Sequence, residues 1–399
     1  MTYEEQYLLT TLKCFIYTQS PTPFKGDMEE LIRITNKHFL MGILGYMMTN
    51  YPNDISAEQK AGFRKNSLKY IGYFANAEEK MKVLISQMNE AGIDHLLFKG
   101  FVVKDYYPVP ELRTFGDIDF LIRKEDRKKS DELMIANGFQ RKDDWEPVYS
   151  YKKEIEYYEI HTDVMEIDVS PKADYVSYFA KTWKRAVNKN EHTYVLPPED
   201  HLIYLLTHLA KHINGSGAGI RMYLDIAAFL KHFEGQLDIQ YLKQELETIS
   251  LYNFTTFVFA VVQKYFEVNV PFVKNDISEE TFEKYMEYTL EGGVFGKVER
   301  DSGLITLKQE GRDTRVASRK GERSRLRIVI GRLFPPAATI ESRYTYLQGR
   351  HWLIPIAWVH RLFITRDKIG EHAKEARSIM NVDQAEVDRL KEIYEILDL

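Results

Sequence analysis

The sequence predicts an α+β protein, with a small mixed-sheet core flanked by N-terminal and C-terminal helical regions. Three observations carry this. Apolar residues recur at helical spacing over residues 1–90 and again over 198–290. Between 91 and 197 the text changes to short apolar or alternating runs, interleaved with helix and broken by turn residues. Pro197 and Pro198 mark the exit from that section.

In the N-terminal helical region, Leu8, Leu9, Leu12 and Phe15 share one helical stripe, and Leu31, Ile32, Ile34, Phe39 and Leu40 a second. Tyr51, Pro52, Asn53 and Asp54 read as a turn. A long helix follows from Ser56 to Glu90, with Phe63, Leu68, Ile71, Phe74, Met81, Leu84 and Ile85 on its apolar side and Gly92 ending it. In the core, DHLLFKGF reads as a buried strand and GDIDFLIR as an alternating one. A helix from Glu125 to Asn137 stops at Gly138. IEYYEIH and VMEIDVS then read as a hairpin turning at Thr162 and Asp163. The helical domain, 198–290, holds HLIYLLTHLAKHI and IRMYLDIAAFLKHF, joined by NGSGAG. Residues 291–324 read as a loop or linker. The C-terminal segment 325–399 mixes helix with breaks at Pro335, Pro336 and Pro355.

The 399 residues are 44% hydrophobic, enough for a real core, which excludes wholesale disorder. The net charge of −5 excludes a generally basic nucleic-acid coat. That total hides a basic run: Lys308 to Arg332 holds nine basic residues and three acids. It reads either as an exposed linker or as a clamp that orders on an anionic partner, an NTP tail or RNA. The single cysteine, Cys14, builds neither an internal disulfide nor, alone, a zinc site. The longest apolar stretch, Phe39 to Met48, falls short of the ~20 residues a membrane-spanning helix needs. MTYEEQYLLT carries acids where a secretory signal carries basic residues, so a cytoplasmic protein is expected.

The chemistry gathers between Leu96 and Ile122. Asp117 and Asp119 lie two apart on a strand, so both carboxylates leave one face, where they suit a pair of Mg²⁺ (or Mn²⁺) ions. Lys99 and Gly100 end the preceding strand, where the absent side chain lets backbone amides approach a phosphate. Arg113 stands four residues before Asp117, placed to meet a triphosphate. Glu166 and Asp168 again share a strand face, either as a solvated hairpin edge or as the third acidic element. His208 and His212 lie on one helix face, as a pair bordering the Leu202, Leu205, Leu206, Leu209 core or as part of a site. Arg221 and Asp225 read as an i, i+4 ion pair, or Arg221 reaches a phosphate. Tyr106 and Tyr107 read as packing beneath a loop.

Lys99-Gly100, then ELRTFGDIDFLI with its Gly116-Asp117, then a strand-borne third acid, resembles the nucleotidyltransferase superfamily typified by DNA polymerase β. Within it, the chain is similar to the bacterial "uncharacterised nucleotidyltransferase" family, whose core runs Leu-Lys-Gly, Arg-x-x-x-Asp-Ile-Asp and a later Glu-containing strand. PPEDHLIYLLTHLAKH, YLDIAAFL and GRLFPPAATIESRYTYLQGRHWLIPIAWVHRLF are similar to its helical and closing segments, so the resemblance spans roughly residues 90–365. The superfamily usually has Gly-Gly or Gly-Ser where this chain has Lys99-Gly100. The closer family often has His two residues after its third-strand Glu, where this chain has Asp168. Glu159 and His161 do have that spacing. The third carboxylate is therefore Glu166 or Asp168, with Glu159 the alternative.

The resemblance implies transfer of a nucleoside monophosphate from an NTP to an unknown hydroxyl-bearing acceptor, with release of pyrophosphate. Asp117, Asp119 and Glu166 would hold the metal, and Glu166 or Asp168 would accept the hydroxyl proton. Lys99, Gly100, Gly116, Arg113, His208 and Arg221 would contact the nucleotide. The acceptor could be a small molecule, a peptide, a protein or RNA. A kinase is disfavoured, since neither GxxxxGK[ST] nor His-Arg-Asp occurs. A non-catalytic nucleotide- or RNA-binding protein that retains the fold is the alternative.

Overall fold

Ser56 accepts a hydrogen bond from the Gln59 amide, and the Gln59 side chain accepts one from the Ser56 amide. This reciprocal cap starts a helix of 34 residues. The computed structural model describes residues 1–294, apart from 146, 166–168, 171 and 216, and beyond them parts of 329–399. Helices α1 (Tyr3–Tyr17), α2 (Met28–Lys37) and α3 (Met41–Asn50) precede the long helix, α4 (Ala57–Glu90). Gly92 follows it at φ +63°, a conformation glycine adopts without steric cost.

Among the described residues, β1 (His95–Leu97), β2 (Ile118–Ile122), β3 (Gln140–Trp145), β4 (Val148–Lys153), β5 (Glu156–His161), β6 (Val187–Asn190) and β7 (Thr193–Val195) form one sheet. Their spatial order is β3-β4-β5-β2-β1-β7-β6. β2 runs antiparallel to β1 and parallel to β5, so the sheet is mixed as predicted. The short α5 (Gly100–Val103) follows β1, and α6 (Arg127–Ala136) follows β2. Ile118, Phe120 and Ile122 of β2, with Tyr158 and Ile160 of β5, pack against Met81, Leu84 and Met88 of α4 and Met134 of α6. Alternation then sends Asp119, Glu159 and His161 to the opposite face.

The predicted hairpin forms one strand earlier. β5 is bonded along one edge to β4 and along the other to β2, which leaves no edge for a following strand. The turn falls at Glu154 and Ile155, with Glu154 at φ +54°. Val164 and Met165 are not in a strand, and Glu166, Ile167 and Asp168 lie outside the described residues.

Two short helices, α7 (Tyr175–Phe179) and α8 (Thr182–Arg185), lead to β6. Beyond β7 come α9 (Pro198–Asn214), α10 (Ile220–His232), α11 (Ile239–Thr248), α12 (Tyr252–Phe266) and α13 (Glu279–Gly292). Leu202, Leu206 and Leu209 of α9 are buried, as are Phe254, Phe257, Val258 and Val261 of α12. The chain divides into two compact units, Met1–Gly296 with Leu397–Leu399, and Lys297–Ile396. In the second, Ile340, Leu347 and Ala357 form a small buried cluster. The basic run 308–332 lies outside the described residues, apart from 329–331. No helix among the described residues is long and apolar enough to cross a membrane.

Candidate active site

Parallel pairing sets Asp119 of β2 directly beside Glu159 of β5, and Leu121 beside His161. Asp119 is only 3% exposed. Its Oδ1 accepts from His161 Nε2 at 2.9 Å and from Lys99 Nζ at 2.5 Å. His161 Nε2 also lies 3.6 Å from Glu159 Oε2. One ligand atom from each of Asp119, Glu159 and His161 falls within 4.8 Å of the others, a set able to close on one cation. Asp117 sits just before β2 and lines the same cavity.

The charges settle one another. Burial opposes ionisation of Asp119, but Lys99 and His161 override it and hold the carboxyl at about 2. Burial and the Asp119 charge push Asp117 upward instead. Burial disfavours charge on His161, yet its bonds to Asp119 and Glu159 raise it above the ordinary imidazole value. Burial likewise opposes charge on Lys99, and the Asp119 carboxylate outweighs it.

The cavity has a volume of about 590 Å³, within the usual range for a small-molecule site. The sheet forms its acidic wall. Tyr204, His208, Lys211 and His212 of α9, with Arg221 and Asp225 of α10, form the wall across from it. The Tyr204 ring stacks on His208, with centroids 5.7 Å apart. His208 Nε2 and His212 Nε2 are 3.2 Å apart, so one carries the hydrogen and the other accepts it. Burial, together with nearby cations, keeps both rings neutral and holds His212 at about 4. The predicted pair thus stands in the cavity wall.

Four of the predicted site residues have surroundings not foreseen in the sequence. Arg113 does not stand ready for a phosphate: its Nε and Nη2 donate to Asp225 Oδ1 and Oδ2 at 3.1 and 2.7 Å, and Tyr107 donates to the same carboxylate at 2.6 Å. Arg221 consequently forms no i, i+4 pair with Asp225. Its Nη1 donates to the Thr114 carbonyl and hydroxyl at 3.0 and 3.1 Å, while its buried Nε has no partner. Burial and the nearby Arg113 hold Arg221 down at about 10. Gly100 lines the cavity and is also constrained sterically, because a Cβ there would sit 1.8 Å from Arg113 Nη1. Gly116 is exposed, does not line the cavity, and has no atom within 4 Å of an added Cβ.

Glu166 and Asp168 lie outside the described residues, and among the described residues the acid set beside Asp119 is Glu159. The sequence signal for it was the Glu159-x-His161 spacing on an alternating strand. Asp225 was recognised only as a local helix partner.

A mixed sheet that carries acids on two adjacent parallel strands faces helices bearing cations across one cavity, and its acid and histidine cluster is of a kind able to hold a metal ion. The model of the uncharacterised nucleotidyltransferase family matches residues 25–267, and the chain belongs to that family. No curated protein and no solved structure matches the chain.

Proposed function

We propose that the protein transfers a nucleoside monophosphate from an NTP to a hydroxyl-bearing acceptor, with release of pyrophosphate, in a reaction that depends on Mg²⁺ or Mn²⁺. The observation that carries this is the convergence of Asp119, Glu159 and His161, with Asp117 beside them, at the acidic wall of a cavity whose other wall is cationic. Membership of a nucleotidyltransferase family implies the NTP. The acids Asp117, just before β2, and Asp119, on it, support a place in the DNA polymerase β-like superfamily.

The donor set fits a divalent ion: three carboxylates and one imidazole, with Asp117 pushed upward by burial and by the Asp119 charge, a repulsion that a cation relieves. Asp117, Asp119, Glu159 and His161 would hold it. When bound, such an ion polarises phosphoryl oxygens and offsets the charge that develops on them. Arg221, with donor capacity left on its buried Nε, orients the phosphate chain. The neutral rings of Tyr204 and His208 give an apolar face for the nucleoside or the acceptor. A carboxylate of the cluster takes the proton as the acceptor oxygen bonds to the α-phosphorus. The bond from that phosphorus to the bridging oxygen breaks, and pyrophosphate leaves.

The test is incubation with α- and γ-labelled NTPs, Mg²⁺ or Mn²⁺, and a lysate of acceptors. The expected result is α label on an acceptor with pyrophosphate released. Label arriving only from the γ position would replace the proposal with a kinase. Nucleotide binding without any transfer would replace it with a binding protein.

A further inference from the structure

Lys99 is the one non-glycine residue of the cavity wall with a left-handed backbone, at φ +60° and ψ −142°. Glycine adopts this conformation freely, whereas a lysine adopts it only under restraint. The restraint is visible: the Lys99 carbonyl accepts from the Val102 and Val103 amides at 3.2 and 3.1 Å, which fixes the turn out of β1 into α5. The consequence is the placement of one charge. Lys99 Nζ reaches Asp119 Oδ1 at 2.5 Å and lies 5.5 Å from the Phe98 ring centroid.

The same Oδ1 accepts from His161 Nε2, so a single oxygen holds the lysine and ties up the nitrogen that would ligate an ion. A divalent ion ligated through these two atoms has to displace both contacts. An ammonium and a divalent ion on one carboxylate also repel each other strongly when poorly solvated.

We propose that the Lys99 ammonium is a tethered cation that competes with the divalent ion for Asp119, so that the ion binds the nucleotide-free protein only by displacing it. The proposal rests on the functional reading above only in taking Asp119, Glu159 and His161 as the ion's ligands. Lys99 is then a positioning residue for the acid cluster, holding Asp119 when no ion does so.

The test is Mn²⁺ affinity of the nucleotide-free protein, read from the signal of unbound Mn²⁺ by electron paramagnetic resonance. Wild type, Lys99→Gly, Lys99→Met and Lys99→Arg are compared, with thermal unfolding recorded for each. Lys99→Gly suits the backbone, Lys99→Met keeps the stem, and Lys99→Arg keeps the charge. The expected result is Mn²⁺ binding about tenfold tighter or more in the Gly and Met variants, with Lys99→Arg close to wild type. Unchanged or weaker binding in whichever charge-removing variants fold overturns the proposal. If that happens while wild type still transfers nucleoside monophosphate, the functional reading survives it. Mn²⁺ bound by none of the four proteins removes the nucleotide-free ion site and overturns this proposal, while the label-transfer result alone decides the functional reading.

Discussion

Arg113 and Asp225, 112 residues apart in the chain, meet in a buried two-point ion pair that ties the loop before β2 to helix α10. Tyr107 donates to the same carboxylate, so the approach to the acid strand and the far wall of the cavity are held by one network. Removing one member of a buried pair leaves the other charge unpaired, at a cost of about 3–5 kcal/mol. Asp225→Ala should lower stability by that order in urea unfolding. Arg113→Lys, which cannot reproduce the two-point contact, should also destabilise, but less. A loss within ~0.5 kcal/mol for Asp225→Ala, the range of an ordinary surface change, would show that the network holds nothing together.

Gly100 and Gly116 separate steric need from mere presence in a motif. A Cβ at Gly100 would overlap Arg113 Nη1, and that guanidinium is fixed by Asp225. Gly100→Ala should therefore destabilise by roughly 1–3 kcal/mol and depress transfer activity, because Arg113 has to move. Gly116→Ala meets no atom within 4 Å and should stay within ~0.5 kcal/mol of wild type. Equal melting shifts for the two variants would contradict this account.

What could be read from the sequence was what depended on local spacing. The long helix after Tyr51 to Asp54, Gly92 as its stop and the Asp117-x-Asp119 alternation all follow from backbone period and side-chain chemistry within a few residues. The third acid needed more. Glu159-x-His161 and Glu166-x-Asp168 carry the same alternation, and only the parallel pairing of β5 with β2, about forty residues away in the chain, places Glu159 beside Asp119. Arg113 looked like a phosphate ligand because Asp225, its partner, lies on a helix with no sequence cue linking the two. Local periods specify faces; they do not say which faces meet.

That pairing makes a sharp prediction about ligands. Asp119→Asn and Glu159→Gln should each weaken Mn²⁺ binding and slow transfer at least about a hundredfold, the upper end of what the loss of even an outer-sphere partner costs a metal site. His161→Asn should weaken Mn²⁺ binding as well. Glu166→Gln with Asp168→Asn is the informative control: Mn²⁺ affinity close to wild type is expected. If that double variant loses the ion while Glu159→Gln keeps it, the third ligand has been misassigned.

Two histidines remote from the acid cluster contribute to the response to acid. His38 Nε2 donates to the Leu290 carbonyl at 3.0 Å, leaving its buried Nδ1 without a partner. His201 is also buried, with an unpartnered Nε2. Burial holds both at about 4, against 6.5 for an ordinary histidine. Between those values the unfolded chain takes up protons that the folded one refuses. The stability these rings leave intact above pH 6.5 is therefore lost as pH falls toward 4, at about 1.4 kcal/mol per pH unit per ring at most. The urea midpoint should fall from pH 7 to pH 5, before the carboxylates titrate. His38→Gln, whose side-chain amide can still donate to Leu290, should flatten that slope, and the double variant with His201→Gln should flatten it further. Slopes that match wild type in both variants would place the acid sensitivity elsewhere in the fold.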